Sequence, residues 1–153
     1  LEQKKGGDVM HFWDKHKTIT RCYEMLTRSV CDRYKLTQME YDILMFLYNN
    51  PQYNTAADIV KIRKSTKSHV STSLKFLEDR GLIEKKQSED NKKHIQIFLL
   101  NPAQEIVRTG LNVQKQFMNN MFHGLTEEEM VMCKSVFRKI CDNAENYLSD
   151  MRE

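Results

Sequence analysis

Between Leu82 and Leu99 the spacing of apolar residues changes from three or four to two, and it changes back after Asn101-Pro102. Period two belongs to a strand whose alternate side chains share a face. Period three-to-four belongs to a helix with one apolar stripe. The change therefore sets a β-hairpin into a helical chain. Leu82-Ile83 opens a strand running to about Gln87, Ser88-Glu89-Asp90-Asn91 is turn chemistry, and Ile95, Ile97 and Leu99 alternate along the return. With two Pro and five Gly in 153 residues, the remainder favours long helices over a turn-rich β fold.

The helices are bounded by their caps. Residues 1–8 are polar, with Gly6-Gly7, and are expected to fray. From Val9 a stripe of Val9, Trp13, His16, Ile19, Tyr23, Leu26, Val30 and Tyr34 predicts one helix of about seven turns. Thr37 and Glu40 make a capping box, with Leu36 and Tyr41 as its hydrophobic staple, and the second helix stops at Asn49-Asn50-Pro51. Thr55 can cap a short third helix. Ser65 or Thr66 can cap a fourth, whose Val70, Leu74 and Leu77 face inward and whose left-handed stop is Gly81. Asn101 as cap and Pro102 as first residue open a fifth helix. Gly110 inside it costs roughly 1 kcal/mol relative to Ala and predicts close packing or a bend. Gly124 ends that helix, and a Thr126–Glu129 capping box opens a sixth.

The predicted fold class is mainly α with a small β-hairpin wing. Residues 36–100 form a winged helix-turn-helix, flanked by an N-terminal dimerisation helix at 1–35 and C-terminal dimerisation helices at 101–153. The flanking apolar faces exceed what a domain of about 65 residues can cover, so a second copy of the chain is expected to complete a two-fold homodimer. A composition of 40% hydrophobic and 29% charged residues fits an ordered globular chain. Neither a membrane-spanning run nor a secretion signal is expected. Cys22, Cys31, Cys133 and Cys141 are too widely spaced for a disulfide framework, which fits a cytoplasmic protein. There is no Gly-rich phosphate loop, no nucleophile elbow, no Cys-x2-Cys and no His-x3-His, so no enzyme activity, cofactor or metal site is expected.

The stretch from Leu36-Thr37 through TAADIVKIRKSTKSHVSTSLKFLEDRGLIEKKQSEDNKKHIQIFLL resembles the MarR (multiple antibiotic resistance regulator) family of bacterial transcription factors. Its strongest local signature is Val70-x6-Leu77-Glu78-Asp79-Arg80-Gly81-Leu82-Ile83-Glu84-Lys85, similar to the family's recognition-helix end and first wing strand. The flanking helices agree in order, so the likeness covers nearly the whole chain. Two departures stand out. The wing reads Asp90-Asn91-Lys92-Lys93 where the family usually has Asp-x-Arg, and Thr72 lies where an Arg is common. The resemblance implies a DNA-binding regulator, in the first instance a repressor reading a pseudo-palindrome as a dimer and released by a small aromatic or phenolic effector.

Charge agrees with that reading. Residues 61–93 hold ten Lys and Arg against five Asp and Glu, whereas residues 126–153 hold four against seven. In a helix-turn-helix the second helix enters the major groove of double-stranded DNA. With Val70, Leu74 and Leu77 inward, its outward face carries Lys67, Ser68, His69, Thr72 and Lys75. Ser68, His69 and Thr72 suit base edges, and Lys67 and Lys75 suit phosphates. Ser65 and Thr66 stand at the helix start, where backbone N–H groups favour a phosphate; Arg63 and Lys64 are further phosphate candidates. The wing offers Lys85, Lys86, Lys92, Lys93 and His94 to an adjacent minor groove, anchoring through charge more than through shape because Arg is absent.

By the same resemblance, Trp13, His16, Tyr41 and Phe117 are candidates for an effector pocket between the dimer helices and the winged domain. Two alternatives stand beside the main reading. One is an oxidation-sensing regulator using Cys22, with Cys133 or Cys141 resolving a sulfenate across the dimer. The other is a winged-helix protein-interaction module that does not bind DNA.

Overall fold

The structure is a computed structural model and describes residues 11–152; the expected fraying of residues 1–8 and the helix start at Val9 lie outside them. Residues 11–14 are helical, and α1 spans His16–Tyr34. Lys15, between them, interrupts what the stripe predicts as one helix. There the backbone tightens to three-residue bonds, Lys15 N–H to Phe12 O at 3.2 Å and Thr18 N–H to Lys15 O at 3.0 Å. α1 ends on Lys35 in the left-handed region (φ +53), with Leu36 N–H closing onto Cys31 O at 2.9 Å.

α2 (Gln38–Asn49) opens with the expected reciprocal box. Glu40 N–H donates to Thr37 Oγ1 at 3.2 Å and Thr37 N–H to Glu40 Oε2 at 2.9 Å. α3 (Ala56–Arg63) begins with the same device on Thr55 and Asp58. Thr66, not Ser65, caps α4 (Lys67–Asp79). Gly81 (φ +69) supplies the left-handed stop, and Leu82 N–H reaches back to Leu77 O at 3.0 Å.

The wing is antiparallel, β1 (Ile83–Gln87) against β2 (Ile95–Leu99), with Ile83 opposite Leu99 and Gln87 opposite Ile95. Asn54, in the loop before α3, accepts from Ile97 N–H at 2.8 Å and ties the wing to the helices. One cap differs from expectation. Asn101–Ala103 is a 3-10 turn capped by Leu100, and the helix proper, α5 (Gln104–Met121), starts three residues after Asn101. The Pro ring fits that first tight turn, which has no partner for an N–H there.

The core gathers Tyr41, Ile43, Leu44 and Met45 of α2, Ile59 of α3, Val70, Leu74 and Leu77 of α4, Leu82, Ile83 and Ile97 of the wing, and Ile106 of α5. Each such side chain contributes about 1.5–3 kcal/mol by leaving water. Gly110 is where α5 meets α2: a Cβ there would overlap Met45 Sδ and lie 3.0 Å from the Tyr41 hydroxyl. Close packing, of the two expectations, is the reason for this glycine.

The described chain divides into two compact units, one closing at Phe117 and the other opening at Met118. In the second, α6 (Glu127–Asp150) starts from its Thr126–Glu129 box but has no buried residue; Val131, Met132, Phe137 and Tyr147 stand in solvent. Among the described residues no helix is long and apolar enough to cross a membrane.

Candidate nucleic-acid interface

The fourth helix sorts its residues by side. Val70, Ser73, Leu74 and Leu77 are buried, at the i, i+3, i+4, i+7 positions of one face. The opposite side is therefore forced outward, and Lys67, Ser68, His69, Thr72 and Lys75 are all exposed. Thr66 Oγ1 accepts from His69 N–H at 3.4 Å, so this hydroxyl is engaged in capping. Ser65 is half-buried, with its hydroxyl turned toward Arg63 O at 3.5 Å. Lys64 makes the turn between α3 and α4 in the left-handed region (φ +54).

The wing separates its cations in the same way. Lys85 turns back onto Glu78 at 2.8 Å. Lys86 pairs with Glu84 at 2.8 Å and sits over the Phe98 ring, 5.7 Å from its centroid. Lys92, Lys93 and His94 are exposed at the tip. Asn91 shapes that tip, accepting Lys93 N–H on its side chain at 3.0 Å and His94 N–H on its carbonyl at 2.8 Å.

Two arginines act inward. Arg63 donates to Asp42 at 2.7 Å, and the Asp42 carboxylate is largely buried. Burial pushes Asp42 above the usual carboxylate range, while Arg63 and then a hydrogen bond from Gln38 pull it back. Arg80, absent from the sequence-derived set, forks onto the end of α1, to Tyr34 O at 2.9 Å and Lys35 O at 3.1 Å. Its position one residue after the end of α4 was the available signal, since a cation near helix termini often finds carbonyls.

Residues 34–94 match the sequence model of the MarR family. A Listeria monocytogenes MarR family transcriptional regulator solved with 26mer DNA superposes with a TM-score of 0.79 at 24% identity, covering 89% of this chain and 91% of that one. The S. aureus MepR–DNA complex gives 0.69 at 20%, covering 90% and 95%, and the transcriptional regulator SlyA gives 0.76 at 17%, covering 88% and 94%. The match to the family model covers 61 of the 153 residues, from the end of α1 to the tip of the wing. At these identities the solved structures establish the shared fold, a winged helix-turn-helix with flanking helices. No curated protein matches the sequence.

The expected effector residues do not meet as a group. Tyr41 is wholly buried; burial first, then neighbouring Tyr23, pushes its hydroxyl well above the usual phenol range. Tyr23 stacks edge-on against Phe117 with ring centroids 5.2 Å apart, so Tyr41 and Phe117 share a neighbourhood. Trp13 is exposed beside Phe12, and His16, a member of the apolar stripe, is exposed with its ring turned to the Trp13 carbonyl. An apolar hollow of about 560 Å³ lies elsewhere, between α3, α4 and the wing, lined by Ala56, Val60, Leu74 and Ile97 with Lys67 and Lys85 at its edge. No spacing rule in the sequence marks that hollow, because it forms where three elements fail to close.

Cys22 is half-buried on α1 and Cys31 buried. Burial, then Asp42, Asp32 and Glu40, push the Cys31 thiol up to about 11, so it stays protonated and a poor nucleophile. Cys133 and Cys141 are exposed on α6. Among the described residues no group of three His, Cys, Asp or Glu could hold a metal ion.

Proposed function

We propose that this chain is a sequence-specific, cytoplasmic DNA-binding transcriptional regulator that acts as a homodimer on a pseudo-palindromic operator. The observation that carries the reading is the exposed outer side of α4. Lys67, Ser68, His69, Thr72 and Lys75 project together, and Lys67 and Lys75 form no ion pair among the described residues. Hydroxyls and an imidazole in the middle suit base edges; lysines at the ends suit phosphates. Lys92, Lys93 and His94 add a mobile-charge contact at the wing tip, salt-sensitive and weakly selective. DNA complexes among the similar structures support the DNA-binding reading.

The exposed apolar side chains of α6, and Ile19 and Met25 on α1, support the dimer, since a monomer would leave them in water. Repression relieved by a small aromatic or phenolic effector is the regulatory form we propose.

Selection of bound duplexes from a random pool tests this. A palindromic consensus with half-sites about one helical turn apart is expected, with affinity falling steeply as salt rises. No enrichment with reduced, ligand-free protein would instead favour the protein-interaction module. Loss of binding in peroxide that thiol restores, and that Cys22→Ser abolishes, would favour the oxidation sensor.

A further inference from the structure

An arginine stands near each end of α4: Arg63, at the end of α3, is linked to α1 through α2, and Arg80 is bonded to α1 directly. Ahead of α4 runs a polar chain across three elements. The Thr27 hydroxyl of α1, fully buried, donates to Gln38 Oε1 at 2.9 Å, sharing its proton with Glu24 O at 3.1 Å. Gln38 Nε2 donates to Asp42 Oδ1 at 2.9 Å, and Arg63 Nη2 donates to Asp42 Oδ2 at 2.7 Å. Arg63 closes α3, three residues before the Thr66 cap of α4. Behind α4, Arg80 lies over the Phe76 ring at 5.5 Å and forks onto Tyr34 O and Lys35 O, the negative end of the α1 dipole. That end of α1 is itself fixed to α5, through the Tyr34 hydroxyl to Glu105 at 2.9 Å and Arg33 to Glu105 at 3.2 Å.

We propose that Asp42, Arg63 and Arg80 are positioning residues: two polar clamps that make the attitude of the reading helix follow α1, with Arg63 serving as a clamp and not as a phosphate contact. The placement of each partner argues for this. Asp42 is largely buried, and a guanidinium already neutralised at 2.7 Å releases few counterions from DNA. Both clamps bear on main chain or on polar groups of α1 and α2, whereas the outward cations Lys67 and Lys75 bear on nothing within the described chain. A shift of α1, the helix proposed to meet the second copy, would thus be carried to both ends of α4 together. The DNA consequences rest on the regulator reading above; the clamps themselves do not.

The test uses the full chain, the selected operator and a salt titration. Arg63→Ala, Arg80→Ala and Asp42→Asn are each expected to weaken operator binding by about tenfold, the scale of one charge-assisted hydrogen bond. The slope of log affinity against log salt should stay at its wild-type value. Lys67→Ala and Lys93→Ala should instead lower that slope by about one. The Asp42→Asn/Arg63→Ala double variant should be no weaker than either single one. A slope lowered by about one in Arg63→Ala, or tighter binding in Asp42→Asn, makes Arg63 a phosphate contact and overturns its clamp. Unchanged affinity in Arg80→Ala overturns the second. Thr27→Val breaks the first clamp at its far end without removing a charge, and is expected to weaken binding in the same direction at the same slope. Amide hydrogen exchange reads the clamps without DNA: faster exchange at residues 64–69 in Arg63→Ala and at 79–82 in Arg80→Ala is expected. If wild-type protein binds no duplex, the regulator reading fails while exchange still decides the clamps, and unchanged exchange in both variants overturns them.

Discussion

α2 and α6 begin with the same device, a Thr-x-x-Glu box whose two hydrogen bonds differ by no more than about 0.1 Å between the helices. Both carry apolar residues at helical spacing. Yet α2, of 12 residues, buries seven, and α6, of 24, buries none. The difference teaches that capping and periodicity make a helix and orient a stripe, while burial needs a partner surface. α2 has α4, β2 and α5 around it. The stripe of α6 keeps Val131, Val136, Phe137 and Leu148 in water, as the proposed dimer would require of an uncovered interface.

The largest expected effect lies in the filled helix. Leu44→Ala, in a wholly buried position, should cost about 2–5 kcal/mol in urea denaturation at fixed protein concentration. A loss under about 1 kcal/mol would mean that α2 is packed far more loosely than described.

Next comes the unfilled one. Phe137→Glu should weaken the proposed dimer by about 2 kcal/mol or more, the scale of an interface anchor, seen in sedimentation as dissociation at concentrations where the parent is paired. Helical content should remain. A dimer indifferent to this change would place the interface elsewhere and leave the exposed stripe of α6 unexplained.

Gly110→Ala sharpens the contrast from the side of α5. A better helix former gains roughly 1 kcal/mol, but overpacking against Met45 and Tyr41 costs about 1–3 kcal/mol, so a net lowering of the melting temperature is expected. A higher melting temperature would show that Met45 moves aside freely.

The smallest effect is the shared one. Thr37→Ala and Thr126→Ala should each cost about 1 kcal/mol in thermal denaturation, because the cap is a local device whichever helix it serves. A Thr37→Ala loss several times larger would mean that this cap also fixes α2 within the core.

Much of the fold was legible residue by residue. The wing followed from one change of period, α4 from Val70, Leu74 and Leu77, and the helix starts from Thr37, Thr55 and Thr126. Lys15 and Asn101 were misread because a tightened turn preserves apolar spacing while changing the hydrogen-bond pattern, which composition does not register. At the interface, the outer residues of α4 were readable because helical geometry leaves no other place for them. Trp13 and His16 were not brought to Tyr41 and Phe117 because no local rule decides which aromatic residues converge.

The sequence by itself determined most of what acts over three or four positions: the Thr caps, the stripes, the hairpin turn and the side of α4 that must face outward. Only the tertiary structure decided which cations remain available. Arg63 is committed to Asp42 twenty-one positions earlier, Arg80 to carbonyls forty-five and forty-six positions earlier, and Lys85 to Glu78 on the neighbouring helix. A lysine or arginine looks the same in a sequence whether it meets a carboxylate or water. Which of the two it meets depends on where distant segments cross, and that choice separates a cation that ties one helix to another from one that stays open to solvent.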